Sequence, residues 1–389
     1  MQIVHAGAIR PVGSFADIQA TVRESLAPIN LALGNSSPVG VSVRLSQAAL
    51  NDAALDATNL KALLGEYHLQ LAGISSVSIS GGAKDQVHQP DWRREERLGF
   101  MFGATNLMAE IAGKNGAEMG ITTNALSHRS WLDIDFPGNW AALSLNIVRV
   151  VQHLATIREK TGVTIHIDLE VEPGSVLRDT DDVIRFWNNW ILTRGAAMLS
   201  DRMQVTDGTA ADAMNRHIRL ALDTAHAAVV GDDAASSLDR LIEAGVGIGR
   251  LQVSSALEVT VPDYQTDRQD LLAHLDGIRS ATLLQQVVAT RDGEIVHRYD
   301  DLPTAVDAEA AGETWRIHTH APVLADRYGI WRSTRDEAGP WVREIASRGM
   351  NVGMIELRSA NWDVVPADDR GEIGEMIARE AAWVRSLVP

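Results

Sequence analysis

Short runs of β-forming residues alternate with longer amphipathic stretches from one end of this chain to the other, which is the rhythm of βα units wound around a parallel sheet. Eight such runs are legible: Ile3–Gly7, Val39–Leu45, Leu71–Ile79, Ala117–Thr123, Val163–Glu170, Ile218–Asp223, Ile248–Ser254 and Val352–Leu357. Helical periodicity fills the gaps, for example at Phe15–Leu33, Trp92–Lys114, Trp140–Lys160, Thr180–Leu199 and Ala234–Ala244, and a last helix over Glu372–Leu387 closes the count. Eight repeats predict a closed α/β barrel, the (β/α)8 TIM barrel. Asp91, just before Trp92-Arg93-Arg94-Glu95, reads as a helix N-cap.

The spacing is regular except before the last strand. There Leu284–Thr290, then Arg291-Asp292-Gly293, then Glu294–Tyr299 predicts a β-hairpin, because Asp-Gly supplies the positive φ of a tight turn. No Pro-, Gly- or Ser-rich linker divides the chain. We therefore expect one domain over 1–389, with an insertion over 257–315 between strands seven and eight.

Composition narrows the function. The 389 residues are 45% hydrophobic, enough to bury a large core. Thirty-five basic residues against 51 acidic ones give a net charge of −16, which repels phosphate backbones and anionic lipid, so neither nucleic acid nor a membrane is an expected partner. With no cysteine, any metal must be held by oxygen and nitrogen. Met1-Gln2-Ile3-Val4-His5 runs straight into a strand, and no apolar run reaches the ~18 residues of a membrane helix, so a cytoplasmic protein is expected. A homodimer is the default assembly.

In such a barrel the chemistry gathers where strands end and βα loops begin. The fifth run alternates, placing His166, Asp168, Glu170 and Glu172 on one face, which in a barrel is the lumen. The sixth ends in Asp223-Thr224-Ala225-His226, where Asp can ligate a divalent ion and His can ligate it or contact substrate. Gln252 lies on the seventh, and His318-Thr319-His320 follows the hairpin; His-x-His either delivers two nitrogen ligands or bonds backbone and core carboxylates. The eighth supplies Glu356 and Arg358, then Asn361-Trp362-Asp363. The candidate metal ligands are Glu170, Asp223, Gln252, Glu356, His318 and His320, an oxygen-rich set suited to Mn²⁺, Mg²⁺, Fe²⁺, Co²⁺ or Zn²⁺. Glu170 and Glu356 are the candidate proton carriers. Arg44 at the end of the second run and Lys84 could bind a polar or anionic group, though Lys84 is as readily a solvated surface charge; His5 reads as core or ligand.

Several segments also resemble a known family: Val43-Arg44-Leu45-Ser46, Lys84 through Trp92, Leu169-Glu170-Val171-Glu172-Pro173-Gly174, Leu251 through Leu257, Arg316 through Pro322, and Trp362-Asp363-Val364-Val365-Pro366. They are similar to the xylose-isomerase-like (sugar phosphate isomerase/epimerase) superfamily, and within it to the EboE family of metabolite-traffic proteins. The resemblance implies that Glu170 and Glu356 are the paired strand-end glutamates that bind metal and exchange protons, that Asp223 is the ligand aspartate, and that His226 accompanies it. His318 and His320 fall where endonuclease IV, a relative with several zinc ions, carries Asp-x-His. Gln252 stands where sugar epimerases usually have a histidine, and Arg358 where EboE-like sequences tend to have a glutamate. The expected contacts to a small polar metabolite are His226, Glu172, Lys84, Arg44, Arg358 and Trp362.

The function this implies is a metal-dependent isomerase or epimerase acting on a sugar, cyclitol or other polyhydroxy metabolite through an enediolate, in a secondary-metabolite pathway. A lyase or dehydratase on the same scaffold is the alternative, as is a non-catalytic metabolite binder. A DNA-repair nuclease would need a positive groove, which a charge of −16 opposes.

Overall fold

The computed structural model describes residues 2–6, 12–33, 38–76, 78–114, 116–308 and 311–388. Seven strands enter the barrel in chain order: β1 (Gln2–Ala6), β2 (Val39–Arg44), β3 (Leu69–Ser75), β4 (Glu118–Asn124), β5 (Thr164–Glu170), β6 (Ile218–Asp223) and β7 (Ile248–Val253). The insertion then supplies β8 (Ser255–Thr260), β9 (Val287–Arg291), β10 (Glu294–Tyr299), β11 (Thr314–Ala321), β12 (Arg327–Tyr328) and β13 (Trp331–Ser333), before β14 (Met354–Leu357) returns to the barrel. All barrel pairings are parallel, and β1 pairs with both β2 and β14, closing the cylinder. The TIM barrel expected from the sequence is thus the observed fold. The His5 side chain lies outside the described residues.

The outward faces of the strands and the inward stripes of the helices fuse into one apolar core that includes Ile121, Ile147, Val151, Ile165, Trp187 and Leu251. Asp91 is not the expected cap. The helix starts at Glu95 behind Arg94, because the Asp91 carboxylate is already engaged by Arg93 at 2.6 Å and by the Ser127 hydroxyl at 2.7 Å.

The second sheet, in the order β10-β9-β11-β8-β13-β12, is antiparallel and has an apolar core of its own around Leu257, Leu275, Val287, Leu302, Trp315 and Ile317. The expected hairpin is present, with Asp292 at φ 54° and Gly293 at φ 85° turning β9 into β10. Only Ser254 separates β7 from β8, so the insertion leaves directly from the barrel rim. Among the described residues no helix is long and apolar enough to cross a membrane.

Candidate functional site

Asp223 ends β6 and also caps the helix Thr224–Val230. Its Oδ1 accepts from the backbone N–H groups of Ala225 at 2.8 Å and His226 at 3.3 Å, which fixes the carboxylate and leaves Oδ2 facing outward. Two imidazoles meet it there: His320 Nδ1 lies 3.6 Å and His318 Nε2 3.9 Å from Oδ2.

Both histidines come from an irregularity in β11. Ile317 pairs with Leu257 and Ala321 with Ser255, so three residues, 318–320, stand against the single Ala256. A bulge of this kind turns side chains away from the regular ladder, and here it carries His318 and His320 to the end of β6. The bulge is fixed from outside by Gln286, whose carbonyl accepts from the His318 N–H at 2.8 Å, and by Ala360 and Asn361, whose N–H groups both donate to the His320 carbonyl at 2.9 Å.

Asp223, His318 and His320 are all buried, and each offers one ligand atom within 4.8 Å of the others. Burial alone would raise the Asp223 carboxyl, but the His320 and His318 imidazoles outweigh it and hold the group well below the usual carboxylate range. Burial pushes His320 down to about 3. An ionised carboxylate beside the neutral imidazole of His320 is a state that can ligate a cation. His318 Nε2 has no hydrogen-bond partner, and an orphaned buried nitrogen of that kind is what a metal would satisfy. His226 stands behind, its ring 5.6 Å from that of His318, with Nε2 donating to the Arg178 carbonyl at 2.8 Å and Nδ1 buried without a partner.

The other expected ligands belong to a separate network inside the lumen. Asp223, Gln252 and Glu356 are in register across β6, β7 and β14. The Gln252 amide donates to Glu170 at 3.1 Å and to Glu356 at 2.9 Å. The remaining oxygen of Glu170 takes the Arg358 guanidinium at 2.8 Å, and that of Glu356 takes Arg250 at 2.8 Å. Each glutamate is therefore bonded through both oxygens to nitrogen donors. Burial would raise Glu356, yet Arg250 and Arg358 bring it below its ordinary value; Glu170 is raised, by burial first and then by Asp223 and Glu356, against Arg358 and Gln252. The structure thus divides the six candidate ligands into an Asp/His/His trio and a neighbouring Glu/Gln/Glu set tied to arginines.

Arg250 is the residue the sequence reading missed. It is fully buried, pairs with Asp168 at 3.0 Å as well as with Glu356, and donates to the Gly120 carbonyl at 3.0 Å. His166 continues the chain, with Nδ1 2.6 Å from Asp168 Oδ1. The signal was there: Arg250 and Gln252 alternate on β7 just as His166, Asp168 and Glu170 do on β5.

Above this network lies a cavity of about 100 Å³ whose wall includes Arg44, Ser75, Ser78, Glu172, His318, His320 and Arg358. Glu172 is held well above the usual carboxylate range by burial and by Glu170 beside it, and its Oε2 has no hydrogen-bond partner. Three expected substrate contacts do not line it: His226 stands beside His318, and Lys84 and Trp362 are elsewhere. The Lys84 ammonium is 2.8 Å from Asp301 and donates to the Leu283 carbonyl at 2.9 Å, because its backbone already docks on Thr282 at 2.7 Å. Trp362 is packed into the main apolar core.

No known family model and no curated protein matches the chain. Solved structures that it resembles include a xylose isomerase-like TIM barrel protein from Mycobacterium smegmatis in complex with magnesium, at 11% identity over 100% of this chain and 97% of that one, with TM-score 0.49. D-psicose 3-epimerase from Clostridium cellulolyticum H10, with D-tagatose, is 12% identical over 99% of this chain and 97% of that one, with TM-score 0.46. The IolI protein with a bound zinc atom is 12% identical over 100% and 98%, with TM-score 0.45. At that distance the chemistry has to be argued from this chain's own residues.

Proposed function

We propose that this chain is an enzyme of the isomerase or epimerase kind, acting on a small polyhydroxy metabolite at the barrel mouth, with a divalent ion held by Asp223, His318 and His320. The observation that carries the reading is the buried trio itself, an ionised carboxylate and two imidazoles beside the cavity, with His318 Nε2 lacking any other partner. Two nitrogens and one carboxylate suit Zn²⁺, Fe²⁺, Mn²⁺ or Co²⁺. When bound, such an ion polarises a substrate carbonyl and stabilises the negative charge that develops on its oxygen.

The protein groups handle the proton. Isomerisation and epimerisation both move a proton on and off a carbon next to a carbonyl. Burial and the neighbouring Glu170 hold the Glu172 carboxyl well above the usual carboxylate range, and its unpartnered Oε2 is placed to hand a proton to a substrate oxygen and take it back. The proton that leaves carbon goes to Glu170, the carboxylate that acts on Glu172 and is itself raised by burial, while Glu356, held below its ordinary value by Arg250 and Arg358, forms the fixed floor of the site in this reading. The finer likeness to EboE metabolite-traffic proteins, and with it a place in a secondary-metabolite pathway, belongs to the proposal and is supported by the segments quoted above. A second reading, metabolite binding without turnover, is favoured by the same arginine pairing, which withdraws both lumen glutamates from proton chemistry.

The test is metal content by inductively coupled plasma mass spectrometry on tag-free protein. We expect near-stoichiometric metal in the wild type, lost in Asp223→Asn and His320→Gln and kept in Glu170→Gln. Loss in Glu170→Gln with retention in Asp223→Asn would move the ion to the lumen glutamates, and no uptake after reconstitution would remove the metal from the proposal.

A further inference from the structure

The arginines of the cavity and of the network beside it are not equivalent. Arg250 has two carboxylates and Arg358 has one. The Arg44 side chain, at the end of β2, has no hydrogen bond or ion pair with any described residue, although Arg44 is more than half buried and lines the cavity. After burial, the influences on its charge are the repulsion of Arg358 and the attraction of Glu172 and Glu170. Holding a partly buried guanidinium beside a like charge costs free energy unless another group offsets it. The Ser78 hydroxyl in the same wall is 4% exposed and likewise lacks a partner. Two unspent donors, one of them a planar fork shaped for bidentate contact with an oxyanion, face one small space.

We infer that the ligand of this cavity carries an anionic oxygen group, a carboxylate or a phosphate, seated on Arg44 and Ser78. The inference rests on the reading of the cavity as the substrate site and names the substrate class: a compact polyhydroxy acid or polyol phosphate, with its hydroxyl-bearing end toward His318 and His320. Arg44 binds by charge and shape, Ser78 adds one hydrogen bond, and the free Oε2 of Glu172 is left for the sugar hydroxyls.

Three probes sharing a three-carbon polyol skeleton test this: glycerol, glycerate and glycerol 3-phosphate, titrated calorimetrically at constant ionic strength into the full chain. At least one of the two anions should bind one-to-one where glycerol does not, and which one binds separates carboxylate from phosphate. Affinity should fall about tenfold or more in Arg44→Met, be partly recovered in Arg44→Lys, and fall a few-fold in Ser78→Ala, with circular dichroism checking the fold of each. Glycerol binding as well as either anion, no binding by either anion, or anion binding unchanged in folded Arg44→Met would overturn the inference. Repeating the titration on Asp223→Asn, with metal measured on the same sample, keeps the two claims apart. Anion binding that survives there without metal upholds the anion site whatever becomes of the metal assignment.

Discussion

At the scale of single residues, the lumen shows how one buried guanidinium organises a barrel. Arg250 neutralises Asp168 and Glu356 together, and room for that arrangement comes from glycine: a Cβ on Gly249 would lie 1.7 Å from Asp168 Oδ1, and one on Gly120 2.4 Å from Asp168 Oδ2. Removing one partner from a buried ion network leaves the others uncompensated, typically at a cost of about 3–5 kcal/mol. Arg250→Met should lose about that much in urea unfolding, whereas the outward, exposed Arg298 changed to Met should lose less than about 0.5 kcal/mol. Equal losses in the two variants would mean that the lumen network contributes little.

At the scale of elements, the insertion does more than decorate the barrel. The bulge in β11 aims the histidines, and the segment 279–286 that forms part of the cavity wall through Leu283 and Leu284 is tied down by Lys84. Lys84 is 29% exposed, so its ion pair with Asp301 contributes no more than about 1 kcal/mol. Lys84→Met should therefore leave the melting temperature almost unchanged while speeding amide hydrogen exchange over 280–286; unchanged exchange there would show that the loop holds itself. This level was half legible in the sequence. Short β-forming runs located every barrel strand, and Asp-Gly located the hairpin turn, because both are local signals. Which carboxylates would meet cations was not legible, since Arg358 reaches Glu170 across 188 positions of chain and Arg250 reaches Glu356 across 106. His-x-His was visible as a pair, but the bulge that carries it to Asp223 depends on pairing with β8, which no local pattern records.

At the scale of the whole molecule, buried titratable groups set a pH dependence. Burial lowers His88 and His217 to about 4, so between that pH and the ordinary 6.5 the unfolded chain binds protons that the folded one refuses. Stability should thus fall as pH drops through this window, by about 3 kcal/mol for each histidine. Glu380 acts the other way. Buried, and bonded to Ser359 at 2.7 Å and the Val323 N–H at 2.8 Å, it is raised to about 7, so the folded state keeps a proton that the unfolded chain releases above about 4.5, and stability falls as pH rises to 7. Glu380→Gln should therefore raise stability at pH 8 by about 1–3 kcal/mol and steepen its decline on acidification; chemical denaturation at a series of pH values measures both, and a slope identical to wild type would count against the assignment.

Asp223 belongs to the barrel, while His318 and His320 belong to the second sheet. Any cation shared by the three is a rivet between two separately cored layers, so its presence would be felt as mechanics before chemistry. A chain stripped of residues 255–333 could still close its eight staves and yet would be an empty vessel, having lost two of the three side chains that gather at its lip.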